Sequence, residues 1–217
     1  MTRKLTSEDF RLYVITDRSW LREEALEDQV QKAIDGGATF LQIREKELPY
    51  NDFVIEAARL KKLATAAKIP FVVNDNVDAA LAVDADGVHI GQEDGEAARV
   101  REALGPDKIL GVSAHTLAEA LAAEAAGADY LGVGAAFATA TKQDASTVSF
   151  ETLKAICSQV HIPVVAIGGL NETTIPKLGG SGVDGVAVIS AVFSAPDITK
   201  ATRRLRRLSE EMVKGHA

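Results

Sequence analysis

Gln42, Arg44 and Lys46 occupy every second position of the run Leu41-Gln42-Ile43-Arg44-Glu45-Lys46. In a β-strand successive side chains point to opposite faces, so these three share one face while Leu41 and Ile43 take the other. Two cations and an amide on one face suit an anionic ligand such as a phosphate ester. A solvated charge cluster at a strand edge would give the same pattern. Two other apolar runs end in acids, one in Asn74-Asp75 and one in Gly91-Gln92-Glu93-Asp94. Asp75 and Asp94 beside a diphosphate would suit Mg2+, which takes one or two carboxylates together with phosphate oxygens and water. Either aspartate could instead cap the helix that follows it.

Ser113 and His115 end the run Gly111-Val112-Ser113-Ala114-His115-Thr116 and offer a hydroxyl and an imidazole, while Thr116 with Glu119 three residues on forms a helix N-cap. The segment from Gly134 to Asp144 is longer than a turn requires, which makes it a candidate lid or a plain surface loop. In it, Lys142 with the hydroxyls of Thr139 and Thr141 could receive phosphate oxygens. Gly168-Gly169 after one strand and Ile189-Ser190 after the next could bring backbone N–H groups to an anion, although a tight turn also explains the glycines. His89, on the face opposite Val88 and Ile90, reads as a hydrogen-bonded core histidine rather than a catalytic one.

Short β-branched runs alternate along the chain with longer Ala/Leu/Glu/Lys segments, the pattern of consecutive βα units around a parallel sheet. Strands are predicted near 12–16, 39–44, 70–74, 86–91, 109–113, 129–134, 163–167 and 185–190. Helices are predicted near 24–35, 51–67, 76–83, 96–104, 116–126, 150–159, 171–178 and 197–213. Eight such units close a (β/α)8 TIM barrel, here one catalytic domain over residues 1–217. An open doubly wound sheet would more often show a G-x-G-x-x-G turn after its first strand, and Leu12-Tyr13-Val14-Ile15-Thr16-Asp17 is followed by none. Barrels of this kind build their active sites from the loops at the carboxyl ends of the strands. The candidate site residues named above sit at or just after such ends. The segments Gly36-Gly37-Ala38, Ala85-Asp86-Gly87, Gly127-Ala128-Asp129 and Gly182-Val183-Asp184 precede strands and read as stability residues of the opposite face.

Composition narrows the function classes. The net charge of −7 and pI near 5.2 argue against a nucleic-acid or anionic-membrane surface, both of which call for a basic field. An anionic substrate must then be held by local cations or a metal. Cys157, the only cysteine, has no partner for an intramolecular disulfide and lies in a helical apolar pattern, where it reads as a packed thiol. The first ten residues lack the apolar run of a signal peptide, and a reduced cytoplasmic protein is expected.

In order along the chain, the stretches L-Y-V-I-T-D, L-Q-I-R-E-K, V-V-N-D-N-V-D-A-A-L-A-V, A-D-G-V-H-I-G-Q-E-D, G-V-S-A-H-T, G-V-G-A-A-F-A-T-A-T-K, P-V-V-A-I-G-G and G-V-A-V-I-S closely resemble the thiamine-phosphate synthase family. The resemblance implies a transferase that joins a pyrimidine diphosphate to a thiazole phosphate, with or without an extra carboxylate on the thiazole, and releases pyrophosphate. It implies that Gln42, Arg44, Lys46, Asn74, Ser113 and Lys142 hold the pyrimidine diphosphate, with Arg44, Lys46, Ser113 and Lys142 acting in the chemistry. It further implies that Asp75 and Asp94 bind Mg2+, and that Thr139, Thr141, Gly169, Ile189 and Ser190 bind the thiazole phosphate. The family's G-P-x-F-P-T pattern is broken here by Ala135 and Ala138, which frees φ in the candidate lid. Two alternatives are a thiazole tautomerase on the related barrel and a non-catalytic barrel that binds a phosphate ligand. Retention of the implied metal and diphosphate residues favours the synthase. Small-molecule substrates are the expected partners, without nucleic acid or membrane, and a homo-oligomer stays open.

Overall fold

A computed structural model describes residues 5–21, 23–92, 96–138 and 147–215. Eight strands run in parallel: β1 Tyr13–Ile15, β2 Phe40–Ile43, β3 Phe71–Asn74, β4 Gly87–Ile90, β5 Ile109–Ala114, β6 Tyr130–Val133, β7 Val164–Ile167 and β8 Gly185–Val188. Each pairs with the next and β8 returns to β1, so the sheet closes in chain order without an edge. Helices α1 Leu26–Asp35, α2 Tyr50–Ala67, α3 Val77–Ala82, α4 Ala97–Leu104, α5 Leu117–Ala125 and α6 Phe150–Gln159 connect successive strands, and α7 Ser190–Phe193 and α8 Ile198–Lys214 follow β8. The expected TIM barrel is therefore present. Among the described residues no helix is long and apolar enough to cross a membrane.

Strand alternation divides the apolar residues into two cores. Leu41, Ile43, Val73, Val88, Ile90, Leu131 and Val133 point outward into one large cluster with the helices. Phe10, Tyr13, Ile15, Phe40, Val72, Ile109, Tyr130, Val165 and Ala187 fill the barrel interior, the layered packing that makes such a barrel a core rather than a pore. Phe10, from a 3-10 turn at Ser7–Phe10, plugs the amino-terminal end with its ring 5.2 Å from Phe40 and 4.9 Å from Tyr130.

The same clamp recurs at alternate strands on that end. Thr39, Asp86, Asp129 and Asp184 stand just before β2, β4, β6 and β8, and each side chain accepts an N–H at or beside the start of the preceding strand, from Leu12, Phe71, Leu110 and Val164 at 2.8–2.9 Å. Each also returns its own N–H to that residue's carbonyl at 2.7–2.9 Å. Gly37 and Gly127 leave α1 and α5 with φ of +102° and +89°, as the sequence pattern predicts for these turns, and Gly182, with φ +92°, follows a 3-10 turn instead of a helix. Cys157 is half-buried, and burial pushes its thiol up to about 12, so it is a packing group.

Two expectations need correction. The segment 171–178 is not a helix. Asn171 Oδ1 instead accepts the N–H groups of Thr173 and Thr174 at 2.9 and 3.1 Å, a local turn that competes with helix, and Pro176 leaves only a 3-10 turn at Ile175–Leu178. The last strand stops at Val188 rather than at 190. Ile189, with φ −121° and ψ −87°, bends the chain so that Ser190 opens α7.

Candidate active site

The carboxyl ends of the strands surround a cavity of about 480 Å³, a usual size for a small-molecule site. Inward alternation on β2 places Gln42, 2% exposed, and Arg44 in its wall. The Arg44 N–H donates to Thr16 Oγ1 at 3.0 Å, which fixes the backbone where β2 ends. Asn74 from β3, Ser113 from β5, Gly169 after β7 and Ile189 and Ser190 after β8 line the same cavity. Lys46 and Asp75 are exposed and lie outside that wall. Asp94, Thr139, Thr141 and Lys142 fall outside the described residues, as does the loop from 139 to 144.

Asp75 takes a left-handed φ of +61°, its N–H donates to His89 O at 2.8 Å, and Asn74 Nδ2 donates to its Oδ2. Capping is not its role. Asn76 caps α3, accepting the Ala79 N–H at 2.9 Å. The exposed carboxylate follows Asn74, a cavity-lining residue, and its oxygens are of the hard type that suits a cation such as Mg2+. Among the described residues no three His, Cys, Asp or Glu side chains cluster as a metal site.

Glu45 follows the strand alternation away from Arg44. Its side chain is 4% exposed and 2.9 Å from Arg18 Nε, and Arg18 also donates to Glu56. Burial pushes the Glu45 carboxyl up to about 7, with Arg18 opposing the rise and Glu56 adding to it. A carboxylate flanked by Arg44 and Lys46 in sequence is thereby turned from the cavity and matched with its own cation.

The turn after β7 contributes glycine backbone to the cavity wall. Gly168 and Gly169 have φ of +94° and +65°, and a Cβ on Gly169 would lie 2.6 Å from Ala138 O. Glycine is required because the base of the long loop lies directly against this turn. Ala136 N–H donates to Ile167 O at 2.8 Å and Phe137 N–H to Gly168 O at 3.1 Å. In α7 the first intrahelical bonds run from Val192 and Phe193 to Ile189 O, so the N–H groups of Ser190 and Ala191 precede them beside the cavity.

Below the mouth lies a chain of polar contacts that the strand-end reading missed. Gln42 Nε2 donates to Tyr13 Oη at 2.5 Å, Tyr13 Oη is 2.8 Å from Tyr130 Oη, Tyr130 Oη is 3.0 Å from His89 Nδ1, and His89 Nε2 is 2.9 Å from Ser113 Oγ. His89 is thus the hydrogen-bonded core residue expected, yet it also lines the cavity. Two inward glycines one strand apart, Gly111 and Gly132, were the available signal. A Cβ on Gly111 would meet Tyr130 Cζ at 2.2 Å, and one on Gly132 would meet His89 Cε1 at 3.1 Å. His115 lines the mouth with Nδ1 3.2 Å from Glu119 Oε2, and Thr116 caps α5 as expected.

The chain is similar along most of its length to proteins of one family. The profile of a family described as thiamine monophosphate synthase matches residues 12–192. A thiamine-phosphate synthase of Clostridium acetobutylicum is 52% identical over 195 residues, covering 90% of this chain and 92% of that one. One from Chloroflexus aurantiacus is 50% identical over 201 residues, covering 92% and 93%. Among solved structures, a thiamine phosphate pyrophosphorylase from Pyrococcus furiosus superposes with a TM-score of 0.88 at 43% identity, covering 95% of this chain and 98% of that one.

Proposed function

The chain belongs to the thiamine monophosphate synthase family, and from that premise we propose that it transfers a pyrimidinylmethyl group from its diphosphate to the ring nitrogen of a thiazole phosphate, giving thiamine phosphate and pyrophosphate. The observation that carries this reading is the two-sided cavity. Gln42, Arg44, Asn74 and Ser113 face it from β2, β3 and β5, and the backbone at Gly169, Ile189 and Ser190 faces it from the ends of β7 and β8. One side offers donors and a cation for a diphosphate. The other offers N–H groups for a phosphate, in the place where barrels often hold one.

The reaction is a dissociative substitution in which charge builds on the departing pyrophosphate while the pyrimidine methylene becomes cationic. It needs charge stabilisation and alignment rather than a strong base. Arg44 stabilises the leaving group from the cavity wall, and Lys46 and Lys142 add charge from the mouth and the long loop. Gln42, Asn74 and Ser113 orient the pyrimidine diphosphate. Gly169, Ile189 and Ser190, with Thr139 and Thr141, anchor the thiazole phosphate so that its ring nitrogen faces the methylene carbon. Mg2+, held by Asp75 and Asp94, would neutralise phosphate oxygens of the leaving group. With Glu45 turned toward Arg18, no carboxylate from β2 opposes the diphosphate. The chain works as one catalytic domain in the cytoplasm.

The test supplies purified protein with both substrates, with and without Mg2+, and measures thiamine phosphate and pyrophosphate. Equal release of both products that stops in excess chelator is expected. Isomerisation of a thiazole substrate without pyrophosphate release would overturn the proposal.

A further inference from the structure

We infer that Gln42, Tyr13, Tyr130, His89 and Ser113 form one hydrogen-bond chain of fixed polarity across the barrel floor, in which Tyr13, Tyr130 and His89 are positioning residues that make Ser113 a donor toward the substrate. The inference rests on the reading that Ser113 contacts the pyrimidine diphosphate.

Polarity follows from the end at β2. An amide nitrogen can only donate, so Tyr13 Oη accepts from Gln42 Nε2. Tyr13 has one proton and gives it to Tyr130 Oη, and Tyr130 in turn gives its proton to His89 Nδ1. A neutral imidazole that accepts at Nδ1 carries its proton on Nε2, and this N–H donates to Ser113 Oγ. The Ser113 proton is then left for an acceptor in the cavity that Ser113 lines. Were Gln42 to present its oxygen instead, every bond would reverse. Ser113 would then spend its proton on His89 and show the substrate only lone pairs. An acceptor-rich diphosphate matches the first polarity and clashes with the second.

The chain is built into the barrel rather than left to chance. Its members come from β2, β1, β6, β4 and β5, and Tyr13 and Tyr130 are separated by 117 residues in sequence. Gln42 is 2% exposed, Tyr13 2%, Tyr130 0% and His89 8%, so water competes little for these bonds. Glycines at 111 and 132 leave room for the Tyr130 and His89 rings. Burial raises both phenols above their ordinary range, which keeps the protons that define the direction.

The experiment is nitrogen NMR of protein labelled with 15N-histidine, at about pH 8, above the ordinary imidazole pKa of about 6.5. The chain has four histidines, and the His89 signals are identified by their loss in His89→Gln. The expected signature is a protonated Nε2 and a bare Nδ1. A proton on Nδ1 in the parent protein overturns the inference without any variant. Gln42→Glu replaces the leading donor with a carboxylate, and its expected effect is to move the His89 proton to Nδ1 from three hydrogen bonds away. Tyr130→Phe keeps the ring that fills the space at Gly111. In it, His89 should divide between tautomers and kcat/KM for the pyrimidine diphosphate should fall about tenfold, the loss of one hydrogen bond, with KM for the thiazole phosphate unchanged. A parent-like tautomer in both variants also overturns the inference. Failure of the functional reading is separately visible, because the parent protein would then make no thiamine phosphate whatever the His89 signals show.

Discussion

Replacing Gly169 with alanine tests whether the turn after β7 is shaped for the thiazole phosphate. Two effects can be separated in advance. The residue has φ +65°, and its missing Cβ would stand 2.6 Å from Ala138 O and 2.7 Å from Phe137 O, whereas ordinary contact begins at 3.4 Å. Both neighbours are backbone atoms, so the base of the long loop has to move outward by about 0.8 Å. A displacement of about 1 Å in a substrate-positioning element can cost on the order of 10²-fold. The left-handed conformation adds roughly 1–2 kcal/mol of strain for a residue with a Cβ, or roughly 2–8 °C in Tm for a chain of this size. Gly180→Ala supplies the control, since Gly180 has φ +83° with nothing within 4 Å of its Cβ position. Both variants should melt lower, Gly169→Ala by at least as much as the control. Only Gly169→Ala should raise KM for the thiazole phosphate, by about 10- to 100-fold, while KM for the pyrimidine diphosphate stays within about twofold. Steady-state kinetics with each substrate varied in turn and thermal melts read both effects. If Gly169→Ala lowers Tm as the control does and leaves the thiazole-phosphate KM unchanged, the turn is a structural joint and the cradle lies elsewhere.

Asp75→Asn removes a carboxylate while keeping a residue type that tolerates φ +61°. It should cost about 100-fold in kcat/KM, about 2.7 kcal/mol, with partial rescue at high Mg2+ and little change in Tm because Asn76 caps α3; an unaltered Mg2+ dependence would refute the metal role. Glu45, with its carboxyl pushed up to about 7 from an ordinary 4.5, keeps a proton in the folded chain that the unfolded chain has lost, so its contribution to stability is full below 4.5 and fades as pH rises to about 7. Denaturant melts of Glu45→Gln at about pH 5 and about pH 7.5 should therefore show a smaller loss of stability with rising pH than the parent, and equal losses in the two proteins would show that Glu45 titrates normally.

Much of the fold is written locally. Alternation in Leu41-Gln42-Ile43-Arg44 is enough to sort core from cavity, and β2 obeys it, with Leu41 and Ile43 in the outer core and Gln42 and Arg44 in the cavity wall. The glycine and aspartate before alternate strands mark the amino-terminal face because turn geometry and a side-chain clamp both act within a few residues. The helix predicted at 171–178 fails for an equally local reason, an asparagine that satisfies the next N–H groups before a helix can. Asp75 shows the limit of spacing as a guide. Asp75 and Asn76 both stand at the start of α3, and only the structure tells that the first takes a left-handed conformation while the second caps the helix.

The buried hydrogen-bond chain is a different kind of information. No two of its members are adjacent in sequence, and none is unusual taken alone. Tyr13 begins a strand that reads as plain core, and Tyr130 stands beside Asp129 where only the clamp is expected. What joins them is closure of the sheet, which turns inward positions of β1, β2, β4, β5 and β6 toward a common axis. Once closed, a floor made only of hydrocarbon would leave Gln42 and Ser113 without partners on their lower sides, and unpaired buried polar groups cost about 1–3 kcal/mol each. Two phenols and an imidazole remove that cost with bonds that also carry direction. The glycines on β5 and β6 therefore belong with the active site as much as with the fold. Without the space at Gly111 and Gly132, the groups that set the hydrogen-bonding character of Ser113 could not cross the barrel.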